Sequence, residues 1–101
     1  MSKTYITITG TRFYQGHDFL KPGMEVLLVK EPDNEFDSEA IMVKMPGVGQ
    51  LGHVANSVHT VLGESISAGR LYDKIGKKAR AKVAFKLPGG VICQVNKKDL
   101  K

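Results

Sequence analysis

The residues with the clearest potential to bind a ligand lie at 31–43, where polar turn residues lead directly into an apolar strand. Pro32 fixes its own φ and disfavours helix at the residue before it. The side chains of Asp33, Asn34 and Asp37 are of types that accept hydrogen bonds from nearby backbone amides. Phe36 and Asp37 are therefore predicted at the mouth of a rigid element, where an aromatic face lies beside a hydrogen-bond acceptor.

A second group of residues with binding chemistry begins at the end of the first predicted strand. Arg12, Phe13 and Tyr14 place a cation next to two aromatic rings, and His53 is a candidate hydrogen-bond donor to a phosphate group. Proteins hold single-stranded nucleic acid by stacking bases on aromatic rings and by contacting phosphates with cations. Together with the first group, these residues predict a nucleic-acid site.

The distribution of charge agrees with a polyanionic partner. Residues 1–69 carry five Lys or Arg against eight Asp or Glu, whereas residues 70–101 carry ten against two. The two parts therefore have net charges of −3 and +8, which sum to the +5 of the whole chain. A concentrated basic segment favours nucleic acid. A lysine-rich solubilising surface is the alternative explanation.

Catalytic and zinc chemistry find little support in the sequence. Cys93 is the single cysteine, and it lies in an apolar strand that predicts a buried structural thiol. His53 and His59 are six residues apart, which does not match common zinc spacing, and no second cysteine is available. We predict no catalytic residues, no metal site and no cofactor.

One cluster of carboxylates leaves a metal-dependent alternative open. Asp33, Glu35 and Asp37 have the alternating spacing that begins a calcium loop, but Ser38 occupies the position of the required glycine. A nuclease that uses these three carboxylates would require them to converge on one cation.

The elements that would position these residues are mainly strands. Apolar patterning predicts six strands, at 5–13, 25–30, 40–45, 50–54, 79–87 and 91–95. In the fifth strand, alternation predicts that Phe85 and Leu87 point inward with Ala79, Ala81 and Val83. Ala84 would point outward with Arg80, Lys82 and Lys86, and the three basic residues would form a cationic stripe. Six short strands in 101 residues indicate a single domain with a small closed or partly closed barrel.

One helix is predicted between the fourth and fifth strands. Asn56 suits a helix N-cap, and the apolar residues 58, 61, 62 and 66 follow at helical spacing. Gly69 would end or interrupt this helix. Residues 70–76 are compatible with either a further helical turn or a loop.

Three motifs in order resemble the HIRAN domain family. They are Gly10-Thr-Arg-Phe-Tyr-Gln-Gly16, then Pro32-Asp-Asn-Glu-Phe-Asp-Ser-Glu-Ala-Ile-Met-Val43, then Gly49-Gln-Leu-Gly-His-Val54. The resemblance spans residues 6–95 and is that of a free-standing, bacterial-type member. It implies an SH3- or OB-like barrel of six strands with one or two short helices.

The resemblance also implies how a DNA end is bound. Family members at the front of fork-remodelling helicases capture the 3′-hydroxyl end of single-stranded DNA. Carried over by position, Phe13 and Phe36 would enclose the terminal base, and Asp37 would accept a hydrogen bond from the 3′-hydroxyl. The family often has Tyr at both aromatic positions, and Phe keeps the stacking face but lacks the phenolic hydroxyl.

The remaining motif positions would contact phosphates or shape the pocket. The resemblance implies phosphate contacts for Arg12 and His53, and a pocket-lining role for Asp33 and Asn34. Eukaryotic members place a lysine shortly after the Gly-His pair, where this chain has Asn56. One phosphate contact of those members is therefore not predicted here.

The sequence supports two functions of different class. The first is a non-enzymatic module for single-stranded DNA or 3′-hydroxyl ends in DNA repair or replication-fork processing, with a helicase or nuclease as a further candidate partner. The second is a protein-interaction module whose basic face docks an acidic helicase or nuclease. Since the sequence has no apolar run of membrane-spanning length and a single cysteine, we expect no membrane association and a cytoplasmic location.

Overall fold

Six antiparallel strands close into a barrel in the computed structural model, which describes residues 3–11, 16–57 and 59–101. The strands are β1 (Tyr5–Thr9), β2 (Glu25–Lys30), β3 (Ile41–Met45), β4 (Gly49–Val54), β5 (Lys78–Leu87) and β6 (Gly90–Val95). Two short helices, α1 (Gly16–Phe19) and α2 (Ala68–Tyr72), and a 3₁₀ turn at Lys97–Asp99 complete the regular elements. The strand order around the barrel is β1-β4-β3-β2-β5-β6. The predicted six-stranded barrel with one or two short helices is confirmed.

The inside of the barrel is filled by the apolar residues that alternate along each strand. Ile6, Leu28, Ile41 and Val91 are fully buried, and α2 adds Leu71 to the same core. Burial of one such side chain contributes about 1.5–3 kcal/mol. A closed barrel also leaves no unpaired strand edge. The packed barrel therefore fixes the positions at which each loop begins and ends.

Strand β1 is shorter than the sequence pattern predicts. It ends at Thr9, because Gly10 adopts a positive φ of 77° that turns the chain. The predicted strand residues 10 and 11 therefore lie in a turn, and the rest of the predicted strand lies outside the described residues.

Strand β5 contains a bulge that the alternation pattern does not reveal. Val83 pairs with Cys93, but Phe85 pairs with Ile92, so Ala84 is an extra residue on β5. An extra residue reverses which side chains point inward beyond it. The prediction that Phe85 and Leu87 face the core is therefore wrong, and both are exposed. The outward positions of Arg80 and Lys82 are confirmed, whereas Lys86 lies beyond the bulge on the other side of the strand and is exposed near its end.

The predicted helix from Asn56 to Gly69 is wrong. Residues 62–66 instead lie along β1, where the amide of Leu62 donates to Thr7 Oγ1 at 3.1 Å and the amide of Ile66 donates to the Tyr5 carbonyl at 2.8 Å. Hydrogen bonds to β1 thus replace those of a helix. The helical region is α2, whose N-cap is Ser67. No helix among the described residues is long and apolar enough to cross a membrane.

Candidate nucleic-acid interface

The loop between β2 and β3, residues 31–40, is closed on itself by hydrogen bonds. The amide of Glu31 donates to the Ala40 carbonyl at 2.8 Å. Asn34 Oδ1 accepts from the amides of Phe36 and Asp37 at 2.9 and 3.0 Å. This confirms the predicted turn chemistry of Asn34. The backbone that carries Phe36 and Asp37 is therefore fixed from inside the loop.

Phe36 presents its ring almost entirely to solvent. Its exposed fraction is 95%, the highest among the exposed large apolar residues in the described part of the chain. An aromatic ring in this position contributes nothing to the core, although its backbone amide is held by Asn34. Such a ring can stack on a base without rearrangement of the loop.

Asp37 lies next to this ring with its carboxylate held on both sides. Oδ1 accepts from the amide of Glu39 at 2.9 Å, and Oδ2 accepts from Nδ2 of Asn56 at 3.0 Å. The residue is half-buried. An ionised carboxylate can accept about four hydrogen bonds. Each oxygen of Asp37 therefore retains capacity for a further donor, in a fixed direction.

Asn56 connects this carboxylate to α2, a role that the sequence analysis missed. Its Nδ2 donates to Asp37, and its Oδ1 accepts from the amide of Gly69 at 2.7 Å. The next residue, Arg70, is exposed. The two contacts of Asn56 span 19 and 13 residues of chain. Its suitability as an N-cap was the one available signal, but the N-cap of the helix that it contacts is Ser67, 11 residues later than predicted.

His53 holds the base of the loop to β4. Its Nε2 lies 2.8 Å from Glu31 Oε1, and its Nδ1 lies 3.5 Å from Gln50 Nε2. Donation from Nε2 to the carboxylate and acceptance at Nδ1 from the amide fit one neutral tautomer of the ring. Because both ring nitrogens have protein partners, His53 acts here as a loop anchor.

Gly52 allows β1 and β4 to approach closely beside this anchor. A Cβ on Gly52 would collide with the carbonyl oxygen of Thr9. This close approach sets the pairing of Thr9 with His53. The end of β1 is therefore adjacent to the loop anchor, which explains in physical terms why the third motif contains a glycine before its histidine.

The other predicted site residues differ in how far they can be placed. Arg12, Phe13 and Tyr14 lie outside the described residues. Asp33 is exposed at the start of the loop, and no hydrogen bond of its side chain is seen within the described ranges. The structure thus brings Asn34, Phe36, Asp37 and His53 together on or beside one loop.

The loop is strongly acidic and is not arranged as a metal site. Five carboxylates, at positions 31, 33, 35, 37 and 39, occur without a Lys or Arg between them. Within residues 3–11, 16–57 and 59–101, no group of three or more His, Cys, Asp or Glu side chains could hold a metal ion. The convergence that a metal-dependent nuclease requires is therefore not seen for Asp33, Glu35 and Asp37.

Comparison with known proteins identifies both a family and a fold. The HIRAN domain model matches residues 1–88. A crystal structure of a protein from Lactobacillus plantarum is 19% identical, with a TM-score of 0.60 and 93% of each chain covered. The HIRAN domain of human HLTF is 18% identical, with a TM-score of 0.59, 97% of this chain covered and 79% of that chain. At these identities the two structures establish a shared fold. No curated protein sequence matches the chain.

Proposed function

Because the chain belongs to the HIRAN domain family, whose members are known as DNA-binding modules, we propose that it binds single-stranded DNA and captures 3′-hydroxyl ends. The observation that carries the proposal is Phe36, which is 95% exposed on a loop that is fixed by its own hydrogen bonds. A ring that is exposed on a fixed loop can stack on a base without first giving up contacts in the core. The whole chain, residues 1–101, would act as a single domain.

The proposed chemistry divides recognition between base and hydroxyl. The terminal base stacks on Phe36, with Phe13 as the second face by the family resemblance. Asp37 accepts a hydrogen bond from the 3′-hydroxyl through the capacity left on its two oxygens. A terminal phosphate would bring negative charge against this carboxylate, so the same contact excludes phosphorylated ends.

Phosphates must be bound outside the acidic loop. Arg12 is one proposed contact, and Tyr14 would extend the aromatic surface beside it. Arg70 is a second cation, since it follows the Gly69 amide that Asn56 holds beside Asp37. His53 would orient the loop through Glu31, in place of the phosphate contact that the family resemblance implies.

HIRAN domains are binding modules, and the proposed activity involves no catalysis. A protein that captures 3′ ends would serve DNA repair or replication-fork processing, in association with a helicase or nuclease that acts on the same end. The acidic loop and the basic residues after position 69 would then contact different parts of the DNA.

Binding of a labelled single strand and of a blunt duplex with the same sequence tests the proposal. We expect the single strand to bind more tightly, because the terminal base of a blunt duplex must unpair and unstack before it reaches Phe36. A duplex with a single-stranded 3′ extension provides the matched control and should bind like the single strand. Equal affinity for the blunt and extended duplexes would contradict end recognition.

A further inference from the structure

The outer surface of β5 and β6 combines cations with the exposed ring of Phe85 and lies on the opposite side of the barrel from β3 and β4. We call it the β5–β6 face; its residues are Arg80, Lys82 and Phe85 of β5, Ile92 and Gln94 of β6, and Tyr5 of β1. We propose that this face is a second binding surface for single-stranded DNA, which contacts the strand away from its end. The inference does not depend on end capture.

The bulge in β5 is what assembles this face. Without the extra residue Ala84, Phe85 would share the inward side of the barrel with Val83. The bulge places Phe85 on the outward side with Lys82, where its exposed fraction is 57%. A stacking ring and a phosphate-binding cation therefore lie on the same side of one strand.

An apolar groove adjoins the Phe85 ring. It has a volume of about 230 Å³ and is lined by Tyr5, Phe85 and Ile92, with Glu64 and Ser65 as its polar members. Phe85 and Ile92 are directly paired across β5 and β6. The groove thus has aromatic walls on two different strands, which suits a flat base.

A second groove, which is polar and has several cations, lies along the same two strands. It has a volume of about 270 Å³, and Arg80, Lys82 and Lys97 contribute its positive charge. Gln94 lines the groove and pairs with Lys82, one outward position along β6 from Ile92. A strand with its base against Phe85 would therefore place its backbone beside these cations.

Two carboxylates modulate the charge of the polar groove. Asp99 accepts from Arg80 Nε at 3.0 Å and from its backbone amide at 2.8 Å, so the guanidinium is held in one orientation. Glu25 lies opposite Lys82 in the pairing of β2 with β5. Glu25 should therefore weaken the attraction of Lys82 for phosphate, so neutralising Glu25 should strengthen DNA binding.

The arrangement favours single-stranded DNA over a protein partner. Cations beside exposed aromatic rings match the two contacts that a single strand needs, for phosphates and for bases. The chain after position 69 has ten basic and two acidic residues, and this positive charge also complements a polyanion. A second surface across the barrel would let one molecule hold a strand end and an internal segment.

A covalently closed single-stranded DNA circle tests the inference, because it has no end to capture. We expect the circle to bind and Phe85→Ala to lower its affinity at least about fivefold, the weaker limit of base–aromatic stacking. Phe85→Leu should weaken binding as much as Phe85→Ala does, since leucine keeps the apolar bulk but lacks the stacking face. Phe85→Tyr should bind the circle like the unaltered protein. Val48→Ala, which shortens an exposed apolar side chain between β3 and β4, should leave binding of the circle unchanged.

Charge variants complete the test. Lys82→Gln should weaken binding of the circle and Glu25→Gln should strengthen it, while Lys44→Gln on the opposite side of the barrel serves as the control. Failure of the circle to bind, or full affinity in both Phe85→Leu and Lys82→Gln, would overturn the inference. Failure of end capture alone would appear as equal affinity for 3′-hydroxyl and 3′-phosphate strands, with the effects on the circle retained.

Discussion

At the residue scale, substitution of the exposed Phe36 should change affinity for DNA without changing the stability of the protein. Phe36→Ala should lower affinity for single-stranded DNA by about 1–3 kcal/mol, the range for loss of one stacked base. The thermal midpoint should not change, because the ring is 95% exposed and packs against no core residue. Titration of the variant with a labelled single strand and thermal unfolding measure the two effects. Phe36→Tyr is the control that keeps the stacking face, and unchanged affinity in the alanine variant would contradict the role.

Asn56 should govern selectivity for the chemistry of the 3′ end. Asn56→Ala removes the donor that holds Asp37 Oδ2 and should reduce the preference for a 3′-hydroxyl over a 3′-phosphate. Asn56→Asp keeps an acceptor for the Gly69 amide but places a carboxylate against Asp37. Asn56→Ala should therefore lose selectivity, as measured by the ratio of the two dissociation constants, whereas the added negative charge of Asn56→Asp should disfavour the 3′-phosphate further. Retained selectivity in Asn56→Ala would show that the contact with Asp37 is not needed.

The difference between Asn34 and Asn56 shows which site residues the sequence could predict. Asn34 contacts amides two and three residues away, so local turn chemistry was sufficient to predict it. Asn56 contacts residues 19 and 13 positions away, and its partners are known only when the barrel is closed. Exposure of Phe36 was likewise undecided, because the same residue type is more often buried.

At the element scale, the approach of β1 to β4 depends on the absence of a side chain at Gly52. Gly52→Ala would force a Cβ into the Thr9 carbonyl and should destabilise the protein by about 1–3 kcal/mol, the usual effect of overpacking. Urea unfolding measures the change. Gly76→Ala is the control, since a Cβ there meets no atom within 4 Å. Equal stability of the two variants would contradict the proposed packing.

Burial of Cys93 in β6 should appear in the pH dependence of stability. Desolvation raises the pKa of this thiol from 9.0 to about 12. The folded state therefore holds the proton more tightly than the unfolded state, so the stabilisation is complete below pH 9 and is lost as pH rises toward 12. This one group should lower the free energy of unfolding by up to about 1.4 kcal/mol per pH unit in that range.

The variant Cys93→Ala isolates the contribution of this thiol to the pH dependence of stability from those of lysine and tyrosine side chains, whose ordinary pKa values also lie above 9. Its free energy of unfolding should fall less steeply above pH 9 than that of the unaltered protein. The comparison uses the two slopes, so the loss of packing in the smaller side chain does not affect it. Identical slopes would contradict the effect of burial on the thiol.

The elements themselves were predictable where one face of a strand is buried. Alternation located all six strands, because inward and outward residues differ in polarity along most of the barrel. It failed at the β5 bulge, where one extra residue reverses the pattern without a change in composition. It also failed at residues 62–66, where hydrogen bonds to β1 override the helical spacing of the apolar residues.

At the scale of the whole molecule, acidic and basic residues are separated in a way that suits a DNA strand whose 3′ end differs in charge from its backbone. The loop that holds Phe36 and Asp37 is acidic, and the basic residues are concentrated in the last third of the chain. A hydroxyl-bearing end can approach the acidic loop, whereas a phosphate-bearing end is repelled from it. The backbone of the strand is attracted elsewhere on the barrel. Charge distribution thus supports discrimination between ends as well as general affinity for DNA.

The most direct test of this account is binding of one labelled single-stranded oligonucleotide with a 3′-hydroxyl and of the same strand with a 3′-phosphate. The account predicts tight binding of the hydroxyl form, weak binding of the phosphate form, and loss of the difference in Asp37→Ala. Glu35→Ala is the matched control, because it removes an exposed carboxylate from the same loop without altering the Asn56 contact. Equal affinity for the two strands in the unaltered protein would contradict capture of the 3′-hydroxyl end.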